Sequence, residues 1–272
     1  RKAFAAGALS ALLYACGGPT TPTPQSTPAP TPEQPSIMCA GDMGPPYGEA
    51  TAQILDRNPE GIVCTLGDNT YQEDGRYDYF NATWGRQMLR LYASTGNHDC
   101  EVRGCELFYE NFPKTKPFGF YSFDYGGAHF AVLNSSIDVS EESDQIRWLE
   151  NDLATRSEPC TFVYFHHPLF SSDDHGSVSP KMRPAWMIMY RHGVELVLNG
   201  HAHNNEIFAK QDPDGRADPN GIREIIAGAG GYGNLYGFGE VKKNSRIRNN
   251  ESRGVVRIHM KPMSYDVEFL PV

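Results

Sequence analysis

Carboxylates, an amide, a phenol and several imidazoles recur in this chain directly after short apolar runs. Asp42 follows the run at 37–40 through Gly41. Asp68, with Tyr71 three residues on, follows 62–66 through Gly67. Asn97, His98 and Asp99 follow 91–95 through Gly96. His166 and His167 follow 161–165, and His201 and His203 follow 194–198 through Asn199 and Gly200. Oxygen and imidazole donors of this kind suit divalent or trivalent transition metals and need no thiolate. A carboxylate can bridge two ions, and two ions about 3.5–4 Å apart can hold a hydroxide and clamp a phosphoryl group for in-line displacement. A lone Gly-Asp or a lone His-x-His is usually structural; five such endings in one chain make that reading improbable. In four of them a glycine precedes the polar residue, which lets the backbone turn sharply and approach closely.

For these residues to meet, the runs must be strands whose C-terminal ends open into one crevice, as in parallel α/β sheets. Further strand runs are read at 120–125 and 128–133, joined as a hairpin through Gly126-Gly127, and at 222–227, 255–260 and 265–270. Helical spacing is read at 50–55, at 143–154 with Ile146, Leu149 and Leu153 on one face, and at 181–191 with Pro184 near its start. A fourth helical stretch carries Phe80, Trp84, Met88 and Leu91 at spacings of four, four and three. Strands alternating with helices predict a layered α/β domain with much parallel pairing, and the hairpins predict mixed sheets.

The chain has 272 residues and a net charge of −9, which argues against general nucleic-acid binding. Residues 1–16 read as a signal segment: Arg1 and Lys2, then an apolar run too short to span a bilayer. The sequence Leu13-Tyr14-Ala15-Cys16 resembles a bacterial lipobox, which implies a lipid anchor at Cys16 and an exported, membrane-anchored lipoprotein of a bacterial cell envelope. Residues 17–36 are rich in Pro and Thr and read as an extended spacer, leaving 37–272 as the catalytic domain. Cys100 and Cys105 are placed for a small-loop disulfide, whereas Cys39, Cys64 and Cys160 read as buried small hydrophobes.

Gly41-Asp42-x-Gly44, Gly67-Asp68-x-x-Tyr71, Gly96-Asn97-His98-Asp99, His166 and Gly200-His201-x-His203 resemble the motifs of the calcineurin-like metallophosphoesterases, and Tyr71 makes the chain most similar to the purple acid phosphatases. The resemblance implies a sandwich of two packed mixed β-sheets flanked by helices. It implies one ion, Fe(III), on Asp42, Asp68, Tyr71 and His203. The second, Fe, Zn or Mn, would lie on Asp68, Asn97, His166 and His201, with Asp68 bridging. It also implies that His98 contacts a small phosphate-ester substrate, that Asp99 orients His98, and that a Tyr71 phenolate gives charge-transfer colour. The family pattern places the ligand two residues before Pro168, favouring His166 over His167. His175 stands where the family can carry a further histidine, which would contact phosphate or protonate the leaving group.

The expected activity is hydrolysis of phosphate monoesters by a metal-bound hydroxide. One alternative keeps the same site for a phosphodiesterase or nucleotide hydrolase using two Mn or Zn ions; another is a non-catalytic ligand-binding surface lipoprotein. Gly228-x-Gly230-x-x-Gly233 imitates a dinucleotide fingerprint, but no helical run follows it, so it reads as a loop bordering the site. His129, His192 and His259 read as structural, and Trp148 and Trp186 as packing residues.

Overall fold

The computed structural model describes residues 34–272 and the backbone of Leu12–Ala15. Its elements in chain order are β1 (Leu12–Ala15), β2 (Ser36–Ala40), α1 (Gly48–Arg57), β3 (Ile62–Leu66), α2 (Asp78–Ala82), β4 (Leu91–Ser94), α3 (Glu106–Asn111), β5 (Tyr121–Tyr125), β6 (Ala128–Val132), α4 (Asp144–Thr155), β7 (Cys160–Tyr164), α5 (Arg183–Arg191), β8 (Leu196–Asn199), β9 (Asn205–Phe208), β10 (Arg223–Ala227), β11 (Ser245–Asn249), β12 (Gly254–Lys261) and β13 (Ser264–Pro271). They form two sheets, ordered β1-β13-β12-β2-β3-β4 and β11-β9-β10-β8-β7-β6-β5. β2, β3 and β4 run parallel, as do β6, β7, β8 and β10, while the outer strands pair antiparallel. The sheets are mixed, as expected.

Alternation of side chains along each strand makes the sandwich. Ile37, Cys39, Cys64 and Leu66 face Phe130, Phe162, Tyr164, Leu198 and Ile225 across the layer between the sheets. The other face of the first sheet, with Met38, Ala40 and Val63, is covered by Ile54, Leu55, Phe80 and Trp84. The other face of the second, with Val163 and Val197, is covered by Leu149 and Leu153 of α4 and by Trp186 and Met189 of α5. α4 begins where the sequence places it, because the Ser143 hydroxyl accepts from the Ile146 N–H at 3.3 Å, a serine N-cap.

Cys100 and Cys105 are disulfide-bonded, and Cys39 and Cys64 are buried free thiols. Cys160 departs from expectation, being disulfide-bonded rather than a free buried thiol. The stretch from Phe80 to Leu91 is not one helix. α2 gives way at Thr83 (ψ −97°) to a tighter 3-10 segment, Trp84–Arg90, and Leu91 already belongs to β4. His129, His192 and His259 pair with Asp124 and Asp152, with Glu150, and with Glu268, so they are structural. The lipid-anchor position Cys16 and most of the spacer lie outside the described residues. Among the described residues, no helix is long and apolar enough to cross a membrane.

Candidate metal centre

β2, β3 and β4 of one sheet and β7 and β8 of the other end at the same edge of the sandwich, and the first residues beyond them turn toward one another. Asp42, Asp68 and His201 have φ of 64°, 53° and 67°. This left-handed backbone costs about 1–3 kcal/mol per non-glycine residue, and it persists only where the surroundings enforce it. Each of the three follows a glycine. The approach is close: a Cβ on Gly96 would lie 2.1 Å from Asp68 Oδ1, so no side chain fits there.

Asp42 is fully buried. Its Oδ2 accepts from the His201 N–H at 2.9 Å, and its Oδ1 accepts from the Tyr71 hydroxyl at 2.9 Å and lies 3.3 Å from His203 Nε2. Asp68 Oδ1 accepts from the His98 N–H at 2.9 Å, while Oδ2 faces the Tyr71 hydroxyl at 3.2 Å and His166 Nε2 at 3.1 Å. Asp68 Oδ2 therefore stands between a phenol and an imidazole, where a bridging carboxylate would stand. Asp42, Asp68 and His166 bring ligand atoms within 4.8 Å of one another, and so do His166, His167 and His201.

These residues fit a metal centre. Asn97 Oδ1 and His166 Nε2 are buried without a hydrogen-bond partner. His166 Nδ1 lies 2.8 Å from the Leu66 carbonyl, an acceptor only, so Nδ1 carries the hydrogen and Nε2 presents its lone pair to the site. Nε2 and Asp68 Oδ2 lie 3.1 Å apart, near enough for one ion to take both as ligands. An unpaired buried polar atom costs about 1–3 kcal/mol, and a bound cation removes that cost. Burial pushes the Asp68 carboxyl up, but the facing His166, with His98 behind it, outweighs burial and holds it well below the usual carboxylate range. Burial pulls His166 down, and Asp68 overrides it to about 9. The Tyr71 phenol is pushed well up by burial and then by Asp42 and Asp68. A cation beside these groups would pull His166 and Tyr71 down and hold Asp68 down further.

His98 sits at the mouth, its ring 4.4 Å from Tyr71 and its Nε2 4.0 Å from Asp68 Oδ2. Asp99 does not orient it. His98 Nδ1 pairs instead with Glu101 at 3.0 Å. Asp99 turns inward and accepts from the Gly96 N–H at 2.7 Å, the Asn69 N–H at 3.1 Å, the Asn69 amide at 2.9 Å and the Tyr77 hydroxyl at 2.9 Å. His175 is exposed, is held by Asp174 at 2.8 Å and stacks on Tyr236 at 3.8 Å; Tyr236 stacks in turn on His203 at 4.2 Å. A whole ring thus separates His175 from His203.

The loop after β10 borders the site, as expected from its position. Gly230 N–H bonds to Gly41 O, Tyr232 N–H to Asp42 O and Tyr236 N–H to His203 O. Tyr232 lies flat on Tyr71, with centroids 3.4 Å apart. Tyr232, Tyr236 and Glu101 are site residues that sequence reasoning missed; the glycine spacing around Tyr232 was the one available signal.

Residues 35–205, more than half of the chain, match the family model of the calcineurin-like phosphoesterases, and the chain belongs to that family. Its relatives include purple acid phosphatase 22 of Arabidopsis thaliana, 29% identical over 245 residues that cover 80% of this chain and 55% of that protein. Purple acid phosphatase 15 of the same plant is 26% identical over 279 residues, covering 80% and 50%. Acid phosphatase A of Cryphonectria parasitica is 28% identical over 224 residues, covering 72% and 42%. The chain thus spans about half the length of these relatives. Among solved structures, a purple acid phosphatase from yellow lupin seeds matches with a TM-score of 0.69 at 18% identity, covering 89% of this chain and 52% of that one. GAP50, the anchor in the inner membrane complex of Plasmodium, matches with a TM-score of 0.66 at 15% identity, covering 88% and 85%. The fold is therefore shared by proteins described in very different terms, and the side chains must carry the functional argument.

Proposed function

We propose that this chain is a dinuclear metal phosphatase acting on phosphate monoesters. The observation that carries the reading is the position of Asp68 Oδ2 between Tyr71 and His166, with the unpartnered Asn97 Oδ1 and His166 Nε2 beside it. Asp42, Asp68, Tyr71 and His203 would hold Fe(III), and Asp68, Asn97, His166 and His201 a divalent ion. Bound there, two ions supply positive charge to the phosphoryl oxygens and acidity to a water molecule.

The chain's own groups do the rest. Glu101 holds His98 Nδ1, leaving Nε2 at the mouth to bind a phosphoryl oxygen. His98, or His175 from the rim beyond the Tyr236 ring, would give a proton to the leaving oxygen as the ester P–O bond breaks and water oxygen joins phosphorus, and the proton that the water loses restores the imidazolium. The products are an alcohol and inorganic phosphate. The relatives are named as acid phosphatases, which supports the phosphatase reading.

The test is p-nitrophenyl phosphate turnover with metal content and visible spectrum, on the chain and on Tyr71→Phe. Iron, a purple or pink band lost in Tyr71→Phe, and turnover are expected. A colourless, manganese-dependent diesterase would transfer the site to the alternative activity. Absence of both bound metal and turnover under every metal sinks the enzymatic reading.

A further inference from the structure

We infer that His167 is an additional imidazole for the second metal position and biases that position toward zinc over manganese. The inference rests on the two-metal reading above. The family pattern selects His166 from the His166-His167 pair, yet the structure brings both rings to the centre. The His167 ring lies 5.0 Å from His166 and 4.4 Å from His201, centroid to centroid, and the three side chains form a compact group of potential ligands.

The ring is aimed. Ser135, fully buried just beyond β6, accepts the His167 backbone N–H at 3.2 Å, and its hydroxyl lies 2.8 Å from His167 Nδ1. One hydroxyl thus fixes both the backbone and the imidazole, an arrangement typical of a partner that orients a metal-binding histidine. In the tautomer whose Nδ1–H donates to the Ser135 hydroxyl, Nε2 carries the lone pair left for the centre.

The two metal positions then differ in donor chemistry. The first is oxygen-rich: the Asp42 and Asp68 carboxylates and the Tyr71 phenol, with His203 alone supplying nitrogen. The second gathers His166, His167 and His201 around Asp68 and Asn97. Imidazole suits zinc, whereas manganese favours carboxylate, carbonyl and water. A third imidazole therefore favours zinc at the second position.

The experiment uses the full chain, stripped of metal and reloaded with iron, then titrated with zinc alone, with manganese alone, and with an equimolar mixture. Bound metal and dissociation constants are read directly, independently of turnover. His167→Leu is expected to weaken zinc at the second position by at least about tenfold, to weaken manganese less, and to keep the iron. Ser135→Ala, which keeps the imidazole but frees it, is expected to move the same way by a smaller factor, and it decides the matter where His167→Leu does not fold. An unchanged zinc affinity and zinc-to-manganese ratio overturns the role of His167. A wild-type chain that binds fewer than two ions overturns the two-metal reading itself, so the two failures are distinct.

Discussion

Replacing Asp99 by Ala separates two accounts of this residue. Adjacent to His98 in sequence, Asp99 looks like its orienting group; in the structure it is a buried anchor, 3% exposed, that collects four donors. Two of these are the backbone N–H groups of Asn69 and Gly96, which flank Asp68 and Asn97 and have no alternative partner. Each buried donor left unpaired costs about 1–3 kcal/mol. Some of that cost is recovered if water enters the space, so the low end of the range applies, and four donors give about 4 kcal/mol. For a domain of this size that corresponds to a fall in Tm of about 8–16 °C. The melt should be run with chelator present, because bound metal would add its own stabilisation to both proteins. Tyr77→Phe, which removes one donor and leaves the carboxylate three, should cost about 1 kcal/mol. If Asp99→Ala melts within about 1 kcal/mol of wild type while turnover collapses, the anchor account is wrong and Asp99 acts on the chemistry.

Gly96→Ala would place a methyl 2.1 Å from Asp68 Oδ1 and should lose second-position metal, whereas Gly104→Ala, strained at φ 60° but with nothing within 4 Å, should keep it, and metal analysis of both compares them. Glu224 is fully buried and accepts from the Leu169 and Phe170 N–H groups. Glu224→Gln should be nearly neutral, since an amide oxygen still accepts, while Glu224→Leu should cost about 2–6 kcal/mol in urea unfolding; equal losses in the two variants would contradict this. His129 is raised above its usual value by its bond to Asp152, with burial opposing and Asp124 adding. A raised folded-state value means stability that is fully present below about pH 6.5 and lost as pH rises through the folded value. The Tm gap between wild type and His129→Gln should therefore be wider at about pH 5.5 than at about pH 9, and a gap independent of pH would count against the ion pairs.

Most strands and the ends that carry the ligands were legible, because buried strands of a sandwich are short apolar runs and the ligands follow them directly. β1, read as the apolar end of a signal segment, was not, and neither were β9 and β11. Their sequences, Asn-Glu-Ile-Phe and Ser-Arg-Ile-Arg-Asn, carry no sustained apolar pattern. Glu206 is nonetheless fully buried in β9, because its carboxylate accepts the Ser172 N–H at 2.8 Å. A buried acid satisfied by a distant backbone looks like a surface acid in sequence. The single helix read through Phe80 and Leu91 failed for a related reason: four-four-three spacing fits an α-helix, but a 3-10 segment followed by a strand can present the same residues inward.

Asp99 shows most clearly where adjacency misleads. His98 and Asp99 begin a 3-10 turn, His98–Cys100, and successive residues of a helical turn point apart, while the residue three further on shares a face. The carboxylate that reaches His98 is accordingly Glu101, and the one beside it in sequence is turned toward Asn69, Gly96 and Tyr77. Three ligand candidates with left-handed backbones need such anchors. The strain at Asp42, Asp68 and His201 totals several kcal/mol, and it is held by contacts such as the His201 N–H on Asp42, the His98 N–H on Asp68 and the four donors on Asp99. The residues that would bind metal were thus readable from their type and place, whereas those that hold them there are ordinary side chains whose role appears only when the strand ends are brought together.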